Sequence, residues 1–178
     1  VGEASFALPA DLPRGWHTIV AESADTRATT HLVVAPNHLH PADIAGSRQW
    51  GFMTQLYAMR SASSWGIGDL DDLARLASWS GRELGAGFVL INPLHAASPV
   101  PPMSPSPYLP VTRRFANPMY LRIEDIPETD RLSPAIAARV GQLAEQLRRL
   151  NRTDDLLDRD AVWAAKRTAL EAVHTAGR

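Results

Sequence analysis

The sequence predicts an α/β fold preceded by a short all-β segment. Three observations lead to this prediction: two β-rich stretches before residue 36, a strand–helix–strand pattern between residues 50 and 91, and two amphipathic helical patterns after residue 133. At 178 residues, with 45% apolar and 21% charged residues, the composition is ordinary for one globular domain or two small ones.

The all-β segment consists of residues 15–20 and 29–34, which are rich in β-branched and aromatic residues. We predict that they pair as consecutive antiparallel strands. Because two or three strands do not make an independent sandwich, they either form the edge of a larger β domain or pack on later parts of the chain. Trp16, His17 and His31 are interpreted as core or rim residues of this sheet.

The strand–helix–strand pattern starts with a strand at residues 50–57 and continues through a loop of small residues at 60–68. A helix should begin after Asp69, whose carboxylate can cap the first turn, and should end near Gly85. The residues expected on its buried face are Leu70, Leu73, Ala74, Ala77 and Leu84.

The second strand of the pattern is the apolar run at residues 88–91, which is predicted to be buried on both faces and to end at Asn92-Pro93. Strand, helix and strand then form a βαβ unit with two parallel strands and a right-handed crossover. Ligands of such units bind at the loops that follow the carboxyl ends of the strands. Those loops are residues 60–68 and residues 92–117, the latter called the motif loop.

The motif loop is long and rich in proline, and it shows neither helical nor strand periodicity. Loops of this length inside a domain are usually functional or disordered. Proline stiffens the chain, and the apolar runs on either side argue against disorder. We therefore expect an ordered, functional, irregular loop. Its polar side chains include His95, Ser104, Ser106, Tyr108, Arg113, Arg114 and Asn117.

Two helices are predicted after the motif loop. The first begins at Ser133-Pro134, a cap followed by proline in the first turn, and ends near Asn151. Its buried stripe is Ile136, Val140, Leu143, Leu147 and Leu150. The second covers residues 158–175, with a buried face of Val162, Ala165, Ala169, Leu170 and Val173. The aspartates at the start of this helix are interpreted as capping and solvated groups, not as a metal site.

Charge and cysteine content exclude several classes of function. The formal net charge of −1 gives no electrostatic reason to expect binding to nucleic acid or to an anionic membrane. The absence of cysteine excludes disulfides, thiolate metal sites and a cysteine nucleophile in this chain. No apolar run reaches the length of a membrane span and no signal-peptide pattern is present, so a soluble, cytoplasmic protein is expected.

Four motifs stand out in the chain: SWGIGD at residues 64–69, NPLHA at 92–96, SPYLPVTRRFANPMY at 106–120 and LDRDAVWAAK at 157–166. In this order and at these separations they resemble the amylomaltase family, the 4-alpha-glucanotransferases that disproportionate maltodextrins. The resemblance is to the bacterial branch with an added N-terminal β-sandwich domain, which would account for residues 1–36.

The resemblance implies a (β/α)8 barrel and a retaining mechanism that uses neither a metal nor an organic cofactor. In the family an aspartate attacks the anomeric carbon, a glutamate protonates the leaving oxygen, and a sugar hydroxyl captures the covalent intermediate. Because these carboxylates follow later barrel strands, we expect no catalytic residue in this chain.

A barrel needs roughly 250 residues, whereas about 130 follow the β segment. The predicted domains are the end of a β-sandwich at residues 1–36, a linker at 37–46, and the first part of the barrel with a following helical segment at 47–178. The expected partners are an α-1,4-glucan such as maltodextrin and the remainder of the same polypeptide, without which the chain should be inactive. A non-catalytic glucan-binding module and an α-amylase-type hydrolase are the alternatives.

The resemblance implies that Tyr108 supplies an aromatic platform beneath a sugar ring; the alternative is a tyrosine that fixes the loop to the barrel rim. Ser106 either donates to a sugar hydroxyl or serves a turn. Asn92 and His95 follow a strand end, where they either contact substrate or satisfy the loop backbone. Trp65 either lines the cleft or is buried under the first loop.

Three further motif residues, Arg113, Arg114 and Asn117, are expected to brace the loop. The chain departs from the family pattern at Leu109, where a small hydroxyl residue is common. It also repeats the Ser-Pro step at Ser104-Pro105, which leaves the register of the loop around Tyr108 open.

Overall fold

The structure is a computed structural model that describes residues 5–37 and 48–178. The chain divides into two compact units, Val1–Arg48 and Gln49–Arg178. Apart from Asn37, the predicted linker at residues 37–46 lies outside the described residues. Within the described part of the chain, no helix combines the length and the apolar character that crossing a membrane requires.

The first unit contains a hairpin of two antiparallel strands, β1 (Gly15–Ser23) and β2 (Thr26–Val34). Both predicted strands are confirmed, and both are longer than predicted because a two-residue turn joins them. The register places Trp16 opposite Val33. Of the two positions predicted for Trp16, core or rim, the described part of this unit contradicts the core, since the side chain is 83% exposed. A two-stranded hairpin has no second layer to cover that face.

The second unit begins with the predicted βαβ arrangement. Strand β3 (Gly51–Thr54) pairs in parallel with β4 (Phe88–Ile91), and helix α1 (Leu70–Leu84) connects them. The side chain of Asp69 caps α1 by accepting hydrogen bonds from two backbone N–H groups, and Gly85 ends the helix with a φ of 69°. Both boundaries agree with the prediction because capping depends on local chemistry.

The burial predicted for the βαβ arrangement is wrong in two places. Phe88 and Leu90 are 50% and 56% exposed, so β4 is not buried on both faces. On α1 most of the predicted apolar face is also open: Leu70 and Leu84 are exposed while Asp72 is buried, and only Leu73 packs against the core. In the described residues β3 and β4 form a sheet of two strands, and this sheet offers little surface for a covering layer.

The motif loop contains secondary structure that its lack of periodicity did not predict. Strands β5 (His95–Ala96) and β6 (Thr112–Ala116) pair antiparallel with an irregular register. The N–H of Asn117 then donates to the carbonyl of Leu94 at 2.8 Å, so the loop returns to its start. The prediction of an irregular loop is wrong here because a two-residue strand is too short to produce a periodic signal.

The two predicted helices are confirmed as α2 (Pro134–Leu150) and α3 (Arg159–Ala176). Ser133 does not cap α2 through its side chain, contrary to the prediction; only its carbonyl accepts a hydrogen bond, from the N–H of Ala137. Asp158 does cap α3, since its carboxylate accepts from a first-turn N–H. Three short 3-10 turns lead into α2: Pro118–Tyr120, Ile123–Asp125 and Pro127–Arg131.

The hydrophobic core of the second unit lies among α2, α3, the loop after β3 and the turns that follow the motif loop. The predicted face of α3 is buried except for Leu170, which is partly buried, whereas the stripe of α2 is buried only at its centre, with Ile136 and Leu150 exposed. The core includes residues of the loops at the strand ends, such as Leu56 and Trp65, but none of β3 or β4. Its most buried apolar members are Leu56, Trp65, Ile123, Ala144, Val162 and Ala169.

Candidate functional site

The carboxyl ends of β3 and β4 lie side by side, since Thr54 pairs with Ile91 at the last position of the parallel register. The chain after β3 enters a short 3-10 helix, Leu56–Ala58, and the chain after β4 enters the motif loop. A hydrogen bond joins these two segments: the hydroxyl of Tyr108 donates to Oε1 of Gln55 at 3.2 Å. The motif loop is thus tied to the strand ends, where ligands of parallel α/β units bind.

The ring of Tyr108 is exposed, while its hydroxyl and its backbone N–H form hydrogen bonds within the protein. The side chain is 53% exposed, and its backbone N–H donates to Oγ of Ser106 at 3.4 Å. A ring that is open to solvent and held at its hydroxyl can cover the C–H face of a sugar. Gln55 was missed in the sequence because no local pattern links two positions 53 residues apart.

Ser106 belongs to a turn that precedes Tyr108. The hydroxyl of Ser104 donates to the carbonyl of Ser106 at 3.1 Å, and the N–H of Ser106 donates to the hydroxyl of Ser104 at 3.4 Å. Both serine side chains are exposed. Ser106 therefore serves a turn, as one of the two alternatives predicted. Its hydroxyl is nevertheless accessible to a ligand.

Asn92 lies inside the protein at the end of β4. It is 2% exposed, and its Oδ1 accepts a hydrogen bond from the N–H of Leu56 at 2.7 Å. Its Nδ2 donates to the carbonyl of Pro93 at 2.8 Å and to the hydroxyl of Tyr120 at 3.0 Å. These contacts satisfy the amide within the protein and join the two strand ends, which favours the structural alternative for Asn92.

His95 and Trp65 differ in their access to solvent. His95 is half-buried in β5 opposite Ala116, beside the motif loop that it begins. Trp65 is 1% exposed, and its Nε1 donates to the carboxylate of Glu124 at 2.9 Å. Trp65 is therefore buried under the first loop and does not line the cleft in the described structure.

The bracing predicted for three motif residues holds for one of them. Asn117 accepts a hydrogen bond from the N–H of Met119 at 3.0 Å through its side chain and so caps the turn after β6. Arg113 and Arg114 are exposed, and their guanidinium groups make no hydrogen bond or ion pair within residues 5–37 and 48–178. Their predicted role as braces is wrong for this part of the chain.

A buried ion-pair network at the start of α1 was also missed. The Nε of Arg122 lies 2.6 Å from the carboxylate of Asp69, and its Nη2 lies 3.3 Å from Asp71 and from Asp72. Burial tends to lower the pKa of Arg122, but its hydrogen bond to Asp69 and the neighbouring carboxylates raise that pKa above its usual value. Three clustered aspartates in a sequence indicate that a cationic partner is required. They do not identify Arg122 as that partner.

The same aspartates are the one group in the described parts of the chain whose oxygens lie close enough together, within 4.8 Å, to hold a metal ion. Arg122 already forms ion pairs with all three carboxylates. The guanidinium and the backbone N–H groups at the start of α1 already bond the carboxylates of Asp69 and Asp72, so these two buried groups have hydrogen-bond partners without a metal.

Lys166, the single lysine of the sequence, is fully buried on α3. Its Nζ donates to the carbonyls of Met119 at 2.5 Å and Leu121 at 2.9 Å, just after the motif loop. Burial lowers the pKa of Lys166 to about 8, against the opposing influence of the Asp69 charge. The ammonium group therefore fastens the exit of the motif loop to α3.

The loop after β3 is fastened to the connection between α2 and α3. The guanidinium of Arg60 donates to the carbonyls of Leu150, Thr153 and Asp155 at 3.1, 2.8 and 2.5 Å. In return, Nδ2 of Asn151 donates to the carbonyl of Ser64 at 2.5 Å. The loops at both strand ends thus rest on helical segments that come later in the chain.

These contacts define a class of protein. The second unit is an α/β fold with an exposed aromatic ring at the carboxyl ends of parallel strands. Buried polar contacts hold the loops that carry this ring. Residues 54–178 match the family model described as 4-alpha-glucanotransferase, and residues 1–36 match that of the MalQ N-terminal beta sandwich domain. The chain belongs to the 4-alpha-glucanotransferase family, as its resemblance predicted.

Individual relatives agree with this assignment. The chain is 51% identical over 190 residues to the 4-alpha-glucanotransferase of Mycobacterium tuberculosis strain H37Rv, covering 100% of this chain and 25% of the relative. It is 35% identical over 175 residues to that of Haemophilus influenzae, covering 93% and 24%. The amylomaltase structure from Corynebacterium glutamicum superposes with a TM-score of 0.82 at 43% identity, covering 93% of this chain and 24% of that one. The chain spans about a quarter of the length of these relatives.

Proposed function

We propose that this chain is part of a 4-alpha-glucanotransferase whose complete polypeptide transfers α-1,4-glucan segments between maltodextrins. The observation that carries the proposal is the half-exposed ring of Tyr108, which lies in a family motif and is tied to the strand ends. The family match over residues 54–178 and the names of the relatives support it.

We also propose the architecture of the complete protein. Strands β3 and β4 with helix α1 are the first elements of a (β/α)8 barrel, whose substrates bind at the carboxyl ends of the strands. Strands β1 and β2 belong to a β-sandwich domain, in agreement with the match over residues 1–36. The domain boundaries at 1–36, 37–46 and 47–178 remain predictions.

The proposed chemistry is a retaining double displacement whose carboxylates lie outside this chain. Such a mechanism needs two carboxyl groups about 5 Å apart on either side of the scissile bond. Asp160, which contacts the motif loop, accepts a hydrogen bond from the N–H of Met103 at 2.6 Å. Glu124 is engaged by Trp65 and Arg148. This segment therefore contributes to binding of the glucan and not to cleavage.

Within the glucan site, Tyr108 supplies an apolar platform and Ser106 an accessible hydroxyl. His95 is the proposed third contact, because it lies at the start of the motif loop and is only half-buried. Asn92 and Trp65 act from inside the protein, where their hydrogen bonds hold the two loops that carry the site.

The test uses the complete polypeptide and maltotriose, with glucose and longer maltodextrins measured as products. Tyr108→Ala should lower kcat/KM about 30-fold, the effect of losing a central aromatic contact of about 2 kcal/mol. Trp79→Ala is the control, because Trp79 is similarly exposed, at 50%, but lies on α1, where its ring packs against Phe52. It should leave kcat/KM unchanged.

Two results would refute the proposal. Release of glucose without longer products would identify a hydrolase. A native polypeptide of this chain's own mass that binds maltodextrin without turnover would identify a binding module.

A further inference from the structure

The hydroxyl of Tyr108 has one partner in the described structure, the side-chain amide of Gln55. Oε1 of Gln55 accepts this hydrogen bond at 3.2 Å. Gln55 follows β3 directly, whereas Tyr108 lies in the loop that follows β4. The contact therefore fixes the far end of an otherwise half-exposed ring to the neighbouring strand end.

Gln55 is itself held on a rigid base. Its carbonyl accepts hydrogen bonds from the N–H groups of Ala58 at 2.8 Å and Met59 at 3.1 Å. The next residue, Leu56, is fully buried, and its N–H donates to the buried Asn92. The backbone of Gln55 thus has little freedom, and an amide on such a base can hold the tyrosine ring in one orientation.

We propose that Gln55 is a positioning residue for the glucan platform: it holds Tyr108 ready for the sugar without touching the reacting atoms. The inference rests on the proposed function and deepens it. A half-exposed tyrosine without this hydrogen bond would sample more side-chain rotamers, and glucan binding would have to order it. The hydrogen bond removes that cost before the ligand arrives.

The expected effect of removing the tie is a change in KM. Ordering one side chain on binding corresponds to about a two- to tenfold weaker affinity. Gln55→Ala in the complete polypeptide should raise KM for maltotriose by this factor, while kcat stays within about twofold. The platform contacts the sugar in the ground state and in the transition state alike, so its loss acts on binding.

A mutant cycle separates positioning from direct contact. Tyr108→Phe keeps the ring and removes the hydroxyl, so it should raise KM as much as Gln55→Ala, and the double variant should add nothing further. Gln55→Glu keeps an acceptor oxygen and should restore most of the affinity. Gln146→Ala, at an exposed glutamine of α2, is the matched control and should leave KM unchanged.

Several results would overturn the inference. These are an unchanged KM in Gln55→Ala, additive effects in the double variant, or no rescue by Gln55→Glu. A crystal structure of the Gln55→Ala variant is a readout independent of glucan, and a Tyr108 ring as ordered as before, in the same place, would also overturn it. Failure of the proposed function is distinguishable, because Tyr108→Ala would then leave kcat/KM unchanged as well.

Discussion

Replacing Arg122 by methionine should strongly destabilise the second unit, because two buried carboxylates would lose their cation. The Arg122 side chain is 8% exposed, that of Asp69 is fully buried and that of Asp72 is 2% exposed. Arg122 bonds Asp69 in a two-pronged arrangement, Nε at 2.6 Å and Nη2 at 2.9 Å. Since these carboxylates raise its pKa, the guanidinium is charged throughout the usual pH range.

The loss of stability in Arg122→Met depends on which hydrogen bonds the carboxylates keep after the substitution. Removing one partner of a buried ion pair costs about 3–5 kcal/mol. Asp69 keeps the backbone hydrogen bonds of the α1 cap, so we expect a loss of about 3 kcal/mol, at the lower end. Arg122→Lys should cost less, about 1–2 kcal/mol, because an ammonium group keeps the charge but does not form the two parallel bonds.

The assay is urea unfolding of the chain followed by tryptophan fluorescence, with Trp65 as a buried reporter. Arg167→Met is the control, because Arg167 forms an exposed ion pair with Glu171 on α3 and should lose about 0.5 kcal/mol or less. If Arg122→Met lost no more stability than this control, the reasoning would be refuted. The carboxylates would then be satisfied without Arg122.

Three further predictions concern Lys166, Gly66 and Trp65. Folding lowers the pKa of Lys166 from 10.5 to about 8, so the stability it contributes is complete above pH 10.5 and is lost as the pH falls through 8. As the pH rises from 8 to 10.5, the free energy of unfolding in urea should increase by about 3 kcal/mol more for this chain than for its Lys166→Met variant. A difference between the two that stays constant with pH would contradict this. Gly66→Ala should cost about 1–2 kcal/mol, because φ is +75° and a Cβ would lie 2.9 Å from Cγ2 of Val162; an unchanged Tm would contradict it. Trp65→Phe removes the hydrogen bond to Glu124 and should lower the free energy of unfolding by about 1–2 kcal/mol, so equal urea midpoints would count against it.

Local features of the fold were predictable because their causes lie within a few residues. The start of α1 at Asp69 and its end at Gly85 follow from capping chemistry and from the left-handed conformation that glycine adopts. The parallel pairing of β3 with β4 follows from a helix between two strands. The family assignment was equally accessible, since it rests on short motifs that can be read in order along the chain.

Burial was harder to predict, because it depends on what covers an element. The apolar residues of β4 predicted a strand buried on both faces, yet Phe88 and Leu90 are half-exposed. The periodicity of α1 indicated an apolar face, but the described residues leave Leu70 open and bury Asp72. A pattern identifies a face that favours burial, and only packing provides the surface against which it is buried.

The sequence by itself determined the helices, the parallel pair, the family and the choice of Tyr108 as the candidate sugar platform. These depend on local chemistry or on motifs read along the chain. The tertiary structure alone decided that Gln55 holds Tyr108, that Arg122 neutralises Asp69, and that Trp65 lies inside. Partners separated by more than 50 residues leave no periodic trace in a sequence, because hydrogen bonds and ion pairs depend on distance in space and not along the chain.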